Sequence, residues 1–231
     1  MKTIDIIIPI FNEKKNLFHI VNEIIDKVKI NKKIIICYDH DNESGLKYIP
    51  NKSFIFKVKN QGFGPNQAIL SGINFSKSEL VLVYMADDFD NINLINHMIN
   101  LTSVYDIVIP SRYVKGGIFE NAKWYKKWIA IIGFFLINKV VGIPYKDCTN
   151  AFKLFKRNVL DCFSFQSKIG FTYAIELTVK SYFLNKKIIE IPCVWRDLKG
   201  RKSNFKIFKW IPHYLYWVLF ALKKRIKSFF L

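Results

Sequence analysis

The sequence predicts an α/β fold in which a mostly parallel central sheet carries helices on both faces. Short apolar segments alternate with segments of helical period along the first half of the chain. Strands that alternate with helices form parallel sheets. Each apolar segment also runs directly into polar or acidic residues, and open α/β sheets bind their ligands at the carboxyl ends of their strands.

Five strands and three helices are predicted in the first half. Apolar residues between Leu17 and Val28 recur at helical spacing, and Asn12 is suited to cap that helix. Gly62 and Gly64 allow a tight turn, and Pro65 suits the first turn of the next helix. The predicted strands are residues 3–10, 33–38, 54–58, 80–85 and 106–110, and the helices are 17–28, 65–75 and 92–101.

The second half is less regular. Gly116 and Gly117 indicate a loop. Helices are predicted over residues 123–141, 158–163 and 170–182, the last of which carries Glu176. A strand is predicted within 147–155 and another over 187–194. A final helix over 206–222 is rich in Trp and Tyr and is followed by a basic run, Lys223-Lys224-Arg225.

Three carboxylates, Asp87, Asp88 and Asp90, follow the buried strand that begins at residue 80. Hard oxygen ligands at i and i+2 can share one divalent cation and present it to a diphosphate. The alternative is that these residues cap the following helix, where Asp is favoured. Because a cap needs only one of them, the pattern favours a metal site.

The ends of the five strands converge on one crevice if the strands are parallel. The only Gly-x-Gly, Gly62 and Gly64, follows the third strand rather than the first, which excludes a dinucleotide-binding dehydrogenase. The residues at the strand ends are Pro9, Asn12 and Glu13; Asp39 and Asp41; Asn60 and Gln61; the aspartate cluster; and Ser111 with Arg112.

The chain is strongly basic, with 36 Lys and Arg against 18 Asp and Glu, and nine of the 18 net positive charges lie in its last 36 residues. Such an excess indicates an anionic partner.

Trp and Tyr flanked by Lys and Arg are typical of a helix at a bilayer interface, although packing on the domain or docking to a membrane protein would also explain them. The uncharged runs, residues 128–138 and 210–222, are too short to span a bilayer. The sequence contains no nucleic-acid-binding motif, and four cysteines without metal-site spacing fit a reducing, cytoplasmic compartment.

Seven segments together resemble family 2 glycosyltransferases, in particular the branch similar to dolichol-phosphate mannose synthase. They occur in that family's order and extend from Ile8 to Phe205. The segments are IPIFNE from Ile8, NQGFG from Asn60 with Ala68 and Gly72, MADDFD from Met85, PSRYVKGG from Pro110, DCTNAF from Asp147, GFTYAIE from Gly170 and GRKSNF from Gly200.

The resemblance implies a GT-A fold (Rossmann-like), a nucleotide-sugar donor, Mg²⁺ or Mn²⁺, and inversion at the anomeric carbon. It places Asp88 and Asp90 at the metal and Glu176 in the acceptor site as a candidate base, and Arg112 is the fourth expected catalytic residue. It implies one domain over residues 1–206, with a donor half (1–115) and an acceptor half (116–206), followed by a membrane-interface helix over 207–231. The expected donor-binding residues are Pro9, Phe11, Glu13, Asp39, Asp41, Asn60 and Asp87, and the expected phosphate-binding residues are Arg112, Lys126, Arg196, Arg201 and Lys202.

The chain departs from the family pattern at several positions, among them residues 39–42, where Asp39-His-Asp-Asn replaces an acidic pair followed by Gly-Ser. Ala86 stands where the metal motif has its first Asp, which shifts the metal pair to Asp88 and Asp90. Lys126 and Ala130 stand where an Arg and a Ser help to bind the acceptor phosphate in polyprenyl-phosphate enzymes. Lys can supply the charge, whereas Ala cannot donate a hydrogen bond.

We therefore expect hexose transfer at the inner face of a membrane, with polyprenyl phosphate as acceptor. Transfer to a sugar hydroxyl and a non-catalytic nucleotide-sugar-binding role remain alternatives. A general base, for which Asp147 is a second candidate, is needed only for a hydroxyl acceptor, because a phosphate acceptor is already an anion.

Overall fold

The fold is built on a seven-stranded sheet with the order β3-β2-β1-β4-β7-β5-β8. The structure is a computed structural model, and it describes residues 2–11, 13, 15–121, 124–196 and 207–228. The strands are β1 (Thr3–Pro9), β2 (Asn31–Tyr38), β3 (Ile55–Lys59), β4 (Leu80–Val83), β5 (Ile107–Ser111), β6 (Ile118–Glu120), β7 (Lys153–Lys156), β8 (Ile188–Pro192) and β9 (Val194–Arg196).

Six α-helices accompany these strands in the described residues. The expected helix over residues 123–141 consists of an α-helix, Trp124–Phe135, and a π-helical turn, Leu136–Val140, that continues it. The 3₁₀ helices are Ser44–Tyr48 and Arg157–Cys162. The α-helices are α1 (Lys15–Lys27), α2 (Pro65–Phe75), α3 (Leu94–Leu101), α4 (Trp124–Phe135), α5 (Tyr173–Phe183) and α6 (Ile207–Lys227).

The predicted mostly parallel sheet is confirmed. Strands β1 to β4 are parallel to one another, and β5 is parallel to β8. The exception is β7, which lies between β4 and β5 and is antiparallel to both. The five predicted strands therefore point the same way, and their carboxyl ends share one edge of the sheet.

Helices cover both faces of the sheet, as alternation along the strands dictates. On β1, Ile6 and Ile8 pack with Leu17 of α1 and Met98 of α3. Ile7 points to the opposite face and packs in the cluster that contains residues of α2 and α5. Buried apolar residues thus fix the sheet from both sides and hold its carboxyl edge in place.

Two peripheral features complete the fold. Strands β6 and β9 form a separate two-stranded parallel sheet. Helix α6 extends to Lys227, beyond the predicted end at residue 222, and its Trp217 and Ala221 pack with Ile175 of α5. One side of the last helix is therefore part of the core.

Candidate active site

The carboxyl ends of β2 and β3 are joined by the carboxylate of Asp39. Its Oδ1 accepts a hydrogen bond from Asn60 Nδ2 at 2.7 Å, and its Oδ2 accepts one from the backbone N–H of Gly64 at 3.0 Å. Gly64 has a φ of 89°, a conformation that favours glycine. Within the described residues the buried Oδ1 of Asn60 has no hydrogen-bond partner. This group can accept a hydrogen bond from a donor group of a ligand.

The remaining expected donor-binding residues border the same edge. Phe11 is exposed beyond the end of β1, whereas Pro9 and Glu13 are buried. The backbone approaches Glu13 closely, because a Cβ on Gly45 would lie 2.4 Å from the Glu13 carbonyl oxygen. Asp41 forms an exposed ion pair with Lys59. The sequence-based grouping of these residues at one edge agrees with the sheet topology.

The carboxylate of Asp88 is held in place by hydrogen bonds from Asn91. Asn91 donates its amide Nδ2 to both oxygens of Asp88, at 2.8 and 2.9 Å, and its backbone N–H to Oδ1 at 3.2 Å. Burial raises the pKa of Asp88 to about 7, although the hydrogen bonds from Asn91 oppose this shift. A nearby cation would favour the charged form. Asp87 is exposed.

Asp90 makes an ion pair with Arg196 at the end of β9. The Arg196 Nη1 lies 2.8 Å from Asp90 Oδ1, and its Nε lies 2.9 Å from Glu120 Oε2 on β6. Asn91 also binds β9, because it accepts a hydrogen bond from Val194 N–H and donates one to the Val194 carbonyl oxygen. The small β6–β9 sheet is thus bound to the aspartate loop, the segment of residues 87–91.

The donor set at this loop fits Mg²⁺ or Mn²⁺ bound together with a diphosphate. In the part of the chain that the structure describes, no three His, Cys, Asp or Glu side chains form a group that could hold a metal ion on their own. Mg²⁺ is commonly bound by one or two carboxylates, with waters and substrate phosphates as its other ligands. Asp88 and Asp90 would supply the carboxylates, and phosphate oxygens would complete the coordination.

Arg112 lies at the end of β5 and forms a buried, bidentate ion pair with Asp147. Arg112 Nε donates to Asp147 Oδ2 at 2.8 Å and Nη2 donates to Oδ1 at 2.7 Å, with the two side chains 14% and 0% exposed. The guanidinium also lies over the rings of Tyr113 and Phe119. Asp147 therefore fixes the loop before β7, and Arg112 contacts its carboxylate.

Glu176 does not have the surroundings of a catalytic base. It is fully buried, and its oxygens accept hydrogen bonds from the backbone N–H groups of Gln166 and Ser167, both at 2.7 Å, and from Lys180 Nζ at 2.6 Å. These contacts hold the loop before α5, because each carboxylate oxygen is engaged by a donor within the protein. The expected catalytic role of Glu176 stays a prediction, and the contacts observed in the structure are those of a residue that holds this loop.

Sequence reasoning missed Asn91 and Glu120, which contact Asp88 and Arg196 in the structure. The position of Asn91, directly after the carboxylates, is the signal that could have found it. Arg201, Lys202 and the expected cap Asn12 lie outside the described residues, as does the side chain of Lys126. Their expected roles remain predictions.

Comparison with known proteins agrees with this geometry. A family model described as Glycosyl transferase family 2 matches residues 5–163. A dolichol-phosphate mannosyltransferase from Pyrococcus furiosus is 26% identical over 223 residues, which cover 91% of this chain and 62% of that protein. A polyprenol monophosphomannose synthase from Mycolicibacterium smegmatis is 22% identical over 231 residues, covering 89% of this chain and 85% of that protein. This chain spans about three fifths of the length of the first relative.

Solved structures show the same fold. Glucosyl-3-phosphoglycerate synthase from Mycobacterium tuberculosis in complex with UDP matches with a TM-score of 0.71 at 11% identity, over 97% of this chain and 80% of that chain. Its complex with Mn²⁺, UDP and phosphoglyceric acid matches with a TM-score of 0.70 at 12% identity, over 97% and 78%. At this identity the likeness shows the fold alone, and that fold is GT-A.

Proposed function

The chain belongs to glycosyl transferase family 2, and from that premise we propose that it transfers a hexose, with inversion, from a nucleotide-sugar to polyprenyl phosphate. The observation that carries this proposal is the convergence at one sheet edge of Asp39 and Asn60 with Asp88 and Asp90. The names of the two relatives support a lipid-phosphate acceptor.

The two groups of residues would bind the two ends of the donor. Asp39 and Asn60 would bind the nucleoside, since the unpaired Asn60 Oδ1 can accept a hydrogen bond from a base or ribose. Asp88 and Asp90 would hold Mg²⁺ or Mn²⁺ against the diphosphate. The ion, when bound, neutralises the charge that builds on the leaving diphosphate. Asn91 orients the carboxylate of Asp88, because its amide donates to both oxygens.

A phosphate acceptor fits the described residues better than a sugar hydroxyl does. Attack by a hydroxyl requires a general base. The two candidate bases are both buried. Asp147 forms its ion pair with Arg112. Glu176 accepts hydrogen bonds from the backbone N–H groups of residues 166 and 167 and forms an ion pair with Lys180. A phosphate is already anionic and needs no base, so the engagement of both candidate bases favours it.

Two helices offer a surface for membrane contact. The exposed apolar side chains of α4 include Trp124 (74% exposed) and Trp128 (60%), and α6 exposes Tyr216 and Leu219. Helix α6 contacts the π-helical turn that continues α4, and Trp217 of α6 and Ile137 of that turn belong to one buried apolar cluster. Exposed lysines follow on α6 at Lys223, Lys224 and Lys227.

We propose that this surface lies on an anionic lipid bilayer at the cytoplasmic face, where aromatic and basic side chains favour the interface. Among the described residues, no helix combines the length and apolar character needed to cross a bilayer.

The experiment that tests this function incubates the full chain with a panel of UDP- and GDP-sugars, Mn²⁺ and either polyprenyl phosphate or a saccharide acceptor. We expect nucleoside diphosphate release and labelled sugar in the lipid fraction with polyprenyl phosphate. The Asp88→Asn and Asp90→Asn variants should lose this transfer, and Asp26→Asn, an exposed acid on α1, should retain it. Transfer to the saccharide alone would overturn the lipid-phosphate assignment.

A further inference from the structure

In the part of the chain that the structure describes, two arginine–aspartate pairs, one directly after β5 and one at the end of β9, differ in burial. The Arg112–Asp147 side chains are 14% and 0% exposed, whereas those of Arg196 and Asp90 are 40% and 43% exposed. Breaking a buried pair leaves an uncompensated charge, while an exposed pair contributes little and exchanges readily. Of these two, only the Arg196–Asp90 pair is suited to open during a reaction cycle.

Asp90 is also one of the two carboxylates proposed to hold the metal ion. A guanidinium 2.8 Å from Oδ1 supplies positive charge at the carboxylate that a divalent cation would use. Arg196 and the cation repel each other and compete for the same oxygen. Binding of one therefore weakens binding of the other.

The strand that carries Arg196 has other attachments. Asn91 accepts a hydrogen bond from Val194 N–H at 3.0 Å and donates one to the Val194 carbonyl oxygen at 2.7 Å. The β6–β9 ladder pairs Ile118 with Val194 and Glu120 with Arg196. The Arg196 guanidinium can thus leave Asp90 while β9 stays in place, and Glu120 remains as its partner.

We propose that Arg196 is an exchangeable counter-ion of the metal site. It neutralises Asp90 before the donor binds and is displaced from that carboxylate when the ion arrives with the nucleotide. The freed guanidinium is then adjacent to the diphosphate, for which its planar donor fork is suited. This inference rests on the proposed function, because it needs Asp90 to be an ion ligand. It gives the Nη1 group of Arg196 two successive partners, the Asp90 carboxylate and then a phosphate, while Nε keeps Glu120.

The test measures Mn²⁺ binding directly, by electron paramagnetic resonance of free Mn²⁺ and by calorimetry, without nucleotide and with UDP or GDP. Without nucleotide, we expect Arg196→Gln to bind Mn²⁺ about fivefold more tightly than the wild type, the upper range for a half-exposed ion pair. With Mn²⁺ present, we expect the same variant to bind the nucleoside diphosphate more weakly. Arg196→Lys should bind Mn²⁺ with intermediate affinity, because it keeps the charge and loses the fork.

Lys27→Gln is the matched control. It removes the same charge from another exposed ion pair, Lys27 with Glu23 on α1, and we expect unchanged Mn²⁺ and nucleotide affinities. Equal Mn²⁺ affinities for wild type and Arg196→Gln, or weaker binding by the variant, would overturn the proposal. A thermal melt establishes that each variant is folded.

The Asp90→Asn variant separates this proposal from the proposed function. If Asp88→Asn and Asp90→Asn both keep full Mn²⁺ affinity, the metal assignment fails and the exchange fails with it. If both lose Mn²⁺ while Arg196→Gln matches the wild type, only the exchange is wrong. Arg196 would then serve as a fixed link between β6, β9 and the aspartate loop.

Discussion

Asn91 donates its side-chain amide to both oxygens of Asp88, at 2.8 and 2.9 Å, and exchanges two hydrogen bonds with the backbone of Val194. One amide therefore orients a proposed metal ligand and fastens the strand that carries Arg196. A side chain that orients a ligand in this way commonly changes metal affinity by about 10- to 100-fold when it is replaced.

We expect Asn91→Ala to weaken Mn²⁺ binding by about tenfold or more. It should also lower the free energy of unfolding by about 1–3 kcal/mol, because the backbone N–H and C=O of Val194 lose their partner. Calorimetric Mn²⁺ titration and urea denaturation measure the two effects. Asn96→Ala, which removes an amide that contacts Lys27 and Lys29 on the outside of the domain, should leave Mn²⁺ binding unchanged. Equal Mn²⁺ affinity in Asn91→Ala would rule out the orienting role.

The Arg112–Asp147 pair should behave as a structural unit. Asp147→Asn leaves the charge of the buried guanidinium uncompensated, so we expect the free energy of unfolding to fall by about 3–5 kcal/mol. The double variant Arg112→Met with Asp147→Leu removes both charges and should recover much of that loss. Denaturation of the two single variants and the double variant forms the cycle that measures the coupling. If the losses of the single variants simply add in the double variant, the pair does not act as a unit.

Lys153 provides a pH-dependent test of packing. It is fully buried on β7, and burial lowers its pKa to about 8. The unfolded chain, with a pKa near the usual value of about 10.4, binds more protons between these two values. The contribution of Lys153 to the free energy of unfolding therefore rises as the pH increases from 8 toward 10.

We expect Lys153→Met to raise the free energy of unfolding at pH 7 by about 3 kcal/mol, since one pKa unit corresponds to about 1.4 kcal/mol. The difference between variant and wild type should shrink at pH 9.5. Urea denaturation at both pH values measures it, and Lys52→Met, an exposed loop lysine, serves as the control. A difference that does not change with pH would show that the pKa of Lys153 in the folded protein is not lowered below that of the unfolded chain.

The exposed aromatic residues of α4 should contribute to vesicle binding. We expect Trp124→Ser with Trp128→Ser to weaken binding to vesicles that contain phosphatidylglycerol by at least about tenfold, because two large side chains no longer enter the interface. Salt should weaken the binding of the wild type as well. Co-sedimentation with vesicles measures this, with Val104→Ser, an exposed apolar residue beyond α3, as the control. Undiminished binding by the Trp variant would place the membrane contact elsewhere.

Much of the donor side of the fold follows from local pattern. The strands and helices of the first half have strong periodicity or clear Gly and Pro signals, and parallel pairing then brings their carboxyl ends together. The orientation of β7 did not follow, because the short run KLFK carries no directional signal. Its antiparallel insertion depends on pairing with β4 and β5, which are distant in sequence.

The ion-pair partners of the charged residues could not be predicted from the sequence either. Arg112 and Asp147 are 35 positions apart, and Asp90 and Arg196 are 106 positions apart. Such pairs are set by topology and not by spacing. Glu176 lies in the first turn of α5, where sequence alone does not show that its carboxylate turns inward to bind the 166–167 backbone.

The central claim is that Asp88 and Asp90 hold a divalent ion against a nucleoside diphosphate. Calorimetric titration of UDP and GDP, with and without Mn²⁺, tests it most directly on the wild type, Asp88→Asn, Asp90→Asn and the control Asp26→Asn. We expect the wild type and Asp26→Asn to bind one of the two nucleotides tightly only with Mn²⁺, and both site variants to lose that dependence. Mn²⁺-dependent binding that persists in Asp88→Asn and Asp90→Asn would contradict the claim.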